Sequence, residues 1–116
     1  MMGSLLVLVV FEATALLFVG LGIPLLRRKV PPNWFYGFRT PSTLRDEPLW
    51  YEVNARTGAD MIAIGVVLAV LAPVLYAACD SLEVWALACV AWLLGGALFM
   101  TVHGFVMIRE HGRRRD

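Results

Sequence analysis

Three long apolar segments alternate with polar ones along the chain. The first covers residues 3–26 and is interrupted only by Glu12, the second covers residues 61–79 and carries no charge, and the third covers residues 84–108. The third contains His103 but no Asp, Glu, Lys or Arg. About 20 apolar residues in a helix suffice to cross a hydrocarbon core about 30 Å thick. The pattern therefore predicts an all-α membrane protein with three transmembrane helices.

A polar loop over residues 27–60 separates the first two spans and is rich in Pro, Gly and aromatic residues. The consecutive prolines Pro31 and Pro32 prevent the first helix from continuing, because each lacks the backbone N–H that a helix interior needs. Thr43 and Asp46 match the spacing of a helix N-cap signature. We expect a helix to begin at about residue 46, with Thr43 near its cap, and to continue into the second span.

The basic residues predict the orientation of the chain. All ten Lys and Arg residues fall in the loop over residues 27–60 or in the tail over residues 109–116, and none falls in the short turn over residues 80–83. Basic residues beside membrane spans stay on the side that is not translocated. We therefore predict a multi-pass membrane protein with the N-terminus and the turn outside and the loop and the tail in the cytoplasm.

Composition narrows the classes of function. At 59% hydrophobic and 16% charged residues, the 116-residue chain is too apolar for a small soluble globule, so the lipid bilayer is its first predicted partner. The net charge of +1 does not suggest nucleic acid. No Ser or Cys has a base at a recognisable spacing, and Cys79 and Cys89 lack a metal-binding arrangement. We expect no enzyme, no cofactor and no metal site.

Two intramembrane polar residues, Glu12 and His103, stand out. An ionised acid at the bilayer centre costs about 3 kcal/mol on insertion scales, so Glu12 should face the bundle and carry hydrogen bonds or a proton. We leave open whether its role is functional or only one of packing. The two residues lie at depths about 15 Å apart, which argues against a direct pair. We expect His103 to hydrogen-bond the loop near the cytoplasmic interface.

The loop carries an ordered set of residues that resembles a known family. The run PPNWFYGFRTPSTL over residues 31–44 is followed by Glu47, Trp50, Asn54 and Gly58. This order is similar to the signature of the SdpI-type membrane proteins, in which an N-x-W/F-x-G-x-R-T-P-x-T-L stretch follows one helix and a Trp, an Asn and a Gly lead into the next. The similarity is close in the loop and extends elsewhere only to the hydrophobic pattern.

The resemblance implies a protein of the bacterial inner membrane with a toxin-immunity role. The family's named member protects a cell from its own secreted, membrane-attacking peptide and relays the toxin's presence to a repressor. Here Arg39 and Thr40 are expected to hold the loop's fold, and Trp50 and Asn54 to present its helical face. The residues expected to bind a partner or to structure the loop are Asn33, Trp34, Gly37, Arg39, Thr40, Pro41, Thr43, Trp50, Asn54 and Gly58.

Three hypotheses about function follow from these features. The first is an SdpI-like protein that binds a membrane-active peptide toxin. The second is an accessory subunit of a larger membrane assembly, with another membrane protein as its partner. The third is a minimal proton-linked transporter built on Glu12. Small residues within the spans also make a homodimer plausible.

Overall fold

The computed structural model describes residues 2–115, with only the backbone of Arg115. It contains four helices: α1 Met2–Leu26, α2 Pro41–Arg45, α3 Glu47–Ala78 and α4 Leu82–Arg115. Three of them, α1, α3 and α4, are long and apolar enough to cross a membrane. The predicted all-α class with three spanning helices is therefore confirmed. The last residue of the predicted tail, Asp116, lies outside the described residues.

Helix α1 ends in a tight C-terminal turn before the prolines of the loop are reached. The Lys29 N–H donates to the carbonyl of Pro24 at 3.0 Å, and Arg28 has a φ of 59°. A residue in the left-handed conformation, followed by a hydrogen bond from the next N–H back to the carbonyl five residues earlier, is a Schellman motif. It supplies donors to carbonyls at the helix end that would otherwise have none. Glycine usually occupies the left-handed position, and here it is an arginine.

Two successive caps start α2 and α3. The Thr40 hydroxyl accepts from the Thr43 N–H at 3.2 Å, while the Thr43 hydroxyl accepts from the Thr40 N–H at 2.8 Å. Asp46 then caps α3 by accepting from the Leu49 N–H at 3.2 Å. The expectation that Thr43 caps the longer helix is wrong, because Thr43 belongs to the short helix α2 and Asp46 supplies the cap of α3.

The two later spans are parts of longer helices. Helix α3 runs without a break from the polar loop segment through Pro73 to Ala78. After a short turn, α4 continues past residue 108 as far as Arg115, so the predicted tail is helical as far as it is described. The helix bundle therefore has one end that carries the α1–α3 loop and the basic part of α4, which we call the loop end. The other end carries the α3–α4 turn.

Helices α1 and α3 pack with their backbones in close approach. A Cβ added to Gly58 would lie 2.5 Å from the Gly22 carbonyl oxygen, and one added to Gly65 would lie 2.7 Å from the Ala15 carbonyl oxygen. In lipid no hydrophobic force draws helices together, so such close van der Waals packing at small residues supplies much of their attraction. These contacts, seven residues apart on each helix, fix the register of the antiparallel pair.

Two tryptophans of α4 hydrogen-bond the backbone of α3. The indole N–H of Trp85 donates to the Ala72 carbonyl at 2.8 Å, and that of Trp92 donates to the Ile64 carbonyl at 3.0 Å. Trp85 also meets Phe11 of α1 edge-on, with ring centroids 5.6 Å apart. This cluster, completed by buried Ala15, Leu68, Ala72 and Cys89, is the core of the bundle near the turn end.

Candidate functional site

The segment between α1 and α3, residues 30–45, folds onto the loop end of the bundle, and we call it the loop cap. Its first half is an internally bonded turn. The Asn33 side-chain oxygen accepts from the N–H groups of Phe35 and Tyr36 at 2.8 and 2.9 Å, and its amide donates to the Pro31 carbonyl at 2.8 Å. The Arg39 guanidinium donates to the Trp34 carbonyl. Asn33 and Arg39 thus hold this turn closed.

Asn54 of α3 holds the second half of the loop cap. Its side-chain oxygen accepts from the Phe38 N–H at 2.5 Å, and its amide donates to the carbonyls of Phe38 and Trp50 at 3.3 and 3.0 Å. Only 1% of Asn54 is exposed. Gly37 passes over it with a φ of 116°, and a Cβ there would lie 2.7 Å from the Asn54 oxygen. This crossing needs glycine for both its conformation and its lack of a side chain.

Trp50 and Thr43 complete the attachment of the loop cap to α3. Trp50 is fully buried, and its indole N–H donates to the Val30 carbonyl at 2.8 Å. Thr43 is also fully buried, and its hydroxyl donates to the Phe38 carbonyl at 3.0 Å. Trp50 and Asn54, which were expected to present the helical face of the loop, are both buried. They face the loop cap and fix it to the bundle.

Two further residues of the predicted set lie within helices and contribute to helix structure or helix packing. Pro41 lies in the first turn of α2, where its missing N–H leaves no donor unsatisfied. Gly58 lies beyond the loop cap, at the contact of α3 with Gly22 of α1. The structure therefore brings most of the predicted set together in one network, with Gly58 in a separate interface.

Some aromatic side chains of the loop cap contact the helices, and others are exposed. The Tyr36 hydroxyl donates to the Leu21 carbonyl at 3.2 Å, and burial raises the pKa of this phenol. Phe38 meets Phe105 of α4 edge-on, with ring centroids 5.3 Å apart. In contrast, Trp34 and Phe35 are 77% and 90% exposed. The loop cap thus presents two free aromatic rings from a fixed backbone.

Two histidines of α4 pair with acids, one within α3 and one at its N-cap. His103 Nδ1 lies 2.7 Å from an Asp60 carboxylate oxygen, and His111 Nε2 lies 3.2 Å from an Asp46 carboxylate oxygen. His103 therefore contacts Asp60, the last residue of the segment expected to be loop, which the structure places within α3. Sequence reasoning missed both acids as partners. The signal was present, since both acids belong to the loop predicted on the cytoplasmic side, near which His103 and His111 were also placed.

We expect the His103–Asp60 pair to be energetically coupled. Replacing either residue by Ala should cost about 1 to 3 kcal/mol, because it leaves the other polar group partly buried without its partner. The double variant should cost less than the sum by about 1 kcal/mol or more. Unfolding by denaturing detergent in mixed micelles measures these values. As a control, the losses of unfolding free energy in Asp60→Ala and His111→Ala should add up in the double variant, because these two residues are not paired. Additive losses for His103→Ala and Asp60→Ala would contradict the coupling.

Glu12 lies apart from these pairs. One of its carboxylate oxygens, Oε1, is buried and has no hydrogen-bond partner among the described residues. The histidine of the third span instead pairs with Asp60. Over residues 2–115, with Arg115 as backbone only, no group of three His, Cys, Asp or Glu side chains is placed to hold a metal ion.

The chain was compared with known proteins. A profile of the SdpI/YfhL protein family matches residues 29–108, which is more than half of the chain and includes the loop cap, α3 and most of α4. The chain belongs to the SdpI/YfhL family. The comparisons with curated proteins and with solved structures each gave no match.

Within this SdpI/YfhL chain, the signature-like residues have a definable physical role. Asn33, Thr40, Thr43 and Asn54 use their side-chain polar groups to hydrogen-bond the backbone or one another inside the loop cap. Arg39, which is exposed, donates one guanidinium N–H to the Trp34 carbonyl. Polar groups that are satisfied internally are unavailable to a ligand unless the loop cap opens. The side chains that remain free to contact another molecule are therefore the exposed ones, whose backbone is fixed by this network.

Proposed function

We propose that this protein is an SdpI-type immunity or binding protein of the bacterial cytoplasmic membrane. It binds a membrane-active peptide toxin through the loop cap and performs no catalysis. The distribution of basic residues supports a cytoplasmic position for the loop end, with the N-terminus and the α3–α4 turn outside. Membership of the SdpI/YfhL family supports the general class of the role.

The observation that supports this proposal is a pair of exposed aromatic side chains on a backbone held by hydrogen bonds. Trp34 and Phe35 are free, yet their backbone is fixed by Asn33 and Arg39. Large aromatic side chains are the residues that most often dominate binding energy at protein interfaces. A fixed backbone lowers the ordering cost of binding, because less conformational freedom is lost. At headgroup depth these rings would meet the apolar face of a peptide that has entered the membrane.

We expect the double variant Trp34→Ala/Phe35→Ala to lose protection against the peptide. Removing one binding hot spot costs about 2 kcal/mol, which is about 30-fold in affinity. Cells that express the wild-type chain should survive a membrane-lytic peptide from a producing strain, and cells that express the double variant should be as sensitive as cells without the gene. The minimal inhibitory concentration of the peptide is the measurement.

Stability and a matched control separate binding from folding. Since both rings are exposed, the double variant should unfold within about 0.5 kcal/mol of wild type and reach the same membrane level. Phe99→Ala removes another exposed ring, on the span α4, and should leave protection unchanged. Full protection by the double variant at normal expression would refute the role assigned to the loop cap.

An accessory subunit of a larger assembly is the second candidate. An apolar groove of about 420 Å³ runs between α3 and α4 and is lined by small residues that include Ala63, Ala91 and Gly95. Transmembrane helices associate through such small residues because their backbones can approach closely. Purification in a mild detergent tests this role. A stoichiometric membrane-protein partner would favour it, and a lone monomer or dimer would count against it.

A further inference from the structure

A second feature of the loop end is a cleft where α1 ends beside α3 and α4. Its volume is about 290 Å³, and it is lined by Arg28 from the end of α1 and Arg56 from α3. The remaining wall is mostly apolar and includes Leu26, Ala59 and Met107. We call it the arginine cleft. It combines two cationic groups with an apolar floor that begins at the last residue of the first span.

The guanidinium groups of Arg28 and Arg56 are unpaired among the residues that the structure describes. Neither guanidinium forms an ion pair or hydrogen bond with any residue in the described range 2–115. Among the described residues, the acid that lines the cleft is Glu52, and its two carboxylate oxygens lie 3.8 Å from His111 and 3.9 Å from Arg114 of α4. Glu52 is therefore shared with basic groups of α4, and the cleft retains a net positive charge.

The backbone at Arg28 adds an independent observation. Its φ of 59° places it at the left-handed position of the α1 C-terminal motif, where glycine avoids the steric cost of a Cβ. A strained non-glycine residue indicates that its side chain contributes something that glycine would lack. A cation at a helix C-terminus also complements the helix dipole, but Arg27 and Lys29 can do this from unstrained positions.

We propose that the arginine cleft binds the headgroup phosphate of an anionic phospholipid. The guanidinium groups of Arg28 and Arg56 donate to the phosphate oxygens, a geometry for which arginine is better suited than lysine. The acyl chains then lie along Leu26 and Met107, which continue into the hydrocarbon region. The positive charge of the cleft favours an anion. Because the lining changes from cationic to apolar, the preferred anion is one with an apolar part. This site is separate from Trp34 and Phe35 and does not depend on the peptide-binding role.

Binding of phosphatidylglycerol to the full chain in a neutral detergent tests the proposal. Native mass spectrometry gives the affinity, with phosphatidylcholine as the uncharged-headgroup comparison and inorganic phosphate as the competitor. Arg28→Gln and Arg56→Gln should each weaken phosphatidylglycerol binding about tenfold, the loss expected for one charged hydrogen-bonding partner. Arg27→Gln and Arg109→Gln make the same charge change outside the cleft and should weaken it less than about threefold.

Arg28→Gly distinguishes a ligand-binding role from a structural one. It removes the strain at the left-handed position, so it should raise Tm in lipid-free detergent while it lowers phosphatidylglycerol affinity as much as Arg28→Gln does. The proposal is overturned if all four Gln variants weaken binding equally, because the attraction would then be diffuse. It is also overturned if phosphatidylcholine binds as tightly, or if millimolar phosphate displaces the lipid, since the apolar floor would then contribute nothing.

Discussion

Replacing Gly58 by Val should separate α1 from α3 and largely unfold the bundle. The first added carbon would lie 2.5 Å from the Gly22 carbonyl oxygen and 2.6 Å from the Leu26 nitrogen, and both are backbone atoms that no side-chain rotation can move aside. Overpacking against flexible side chains already costs about 1 to 3 kcal/mol, so a clash with backbone should cost about 3 kcal/mol or more. Unfolding in mixed micelles, followed by tryptophan fluorescence, measures the loss.

Gly20→Val is the matched control. Gly20 lies on the same helix as Gly22, but a Cβ there would meet nothing within 4 Å. The variant should therefore fold as wild type, with a small gain from the helix propensity that glycine lacks. If the Gly58 and Gly20 variants were equally stable, the close packing of α1 on α3 would be wrong.

Replacing Asn54 by Asp should detach the loop cap from the bundle. The change keeps an oxygen for the Phe38 N–H but places a second oxygen where the amide now donates to the carbonyls of Phe38 and Trp50. A carboxylate buried against carbonyl oxygens loses its hydration and gains repulsion, so the expected cost is about 3 kcal/mol or more. Hydrogen exchange at the Phe38 amide should accelerate by at least about 100-fold, because this bond then breaks without global unfolding.

Asn33→Asp makes the same chemical change at the more exposed side of the loop cap. The Asn33 oxygen that accepts from Phe35 and Tyr36 would be retained, and the new oxygen would be reached by water. We expect the free energy of unfolding to fall by less than about 1 kcal/mol, since only the hydrogen bond to the Pro31 carbonyl disappears. Similar losses in the two variants would show that Asn54 is not the buried centre of the network.

These two variants also bear on the functional proposals. Trp34 and Phe35 are presented by the loop cap, so Asn54→Asp should reduce peptide protection although Asn54 is buried beneath the cap. The arginine cleft lies at the junction of the three long helices, so phosphatidylglycerol binding should survive the same change. The two activities at the loop end can thus be lost separately.

The sequence determined which segments cross the membrane and where the chain leaves it. Runs of about 20 apolar residues have one low-energy arrangement in lipid, a helix whose backbone groups are satisfied internally, so the three spans followed from composition alone. The prolines at 31 and 32 and the capping residues near position 46 marked the polar loop and the start of α3 within a residue or two. Local rules sufficed because each of these features depends on neighbours along the chain.

Only the tertiary structure decided which faces of the helices meet. The spans are apolar on all sides, so no polar stripe predicts how each helix is rotated. The Gly22–Gly58 contact, the choice of Asp60 for His103 and the inward orientation of Trp50 and Asn54 all depend on that rotation. Asn54, which was expected to present the helical face of the loop, lies at the centre of the loop cap's hydrogen-bond network, because the folding of residues 30–45 onto α3 decides which side of that helix is covered.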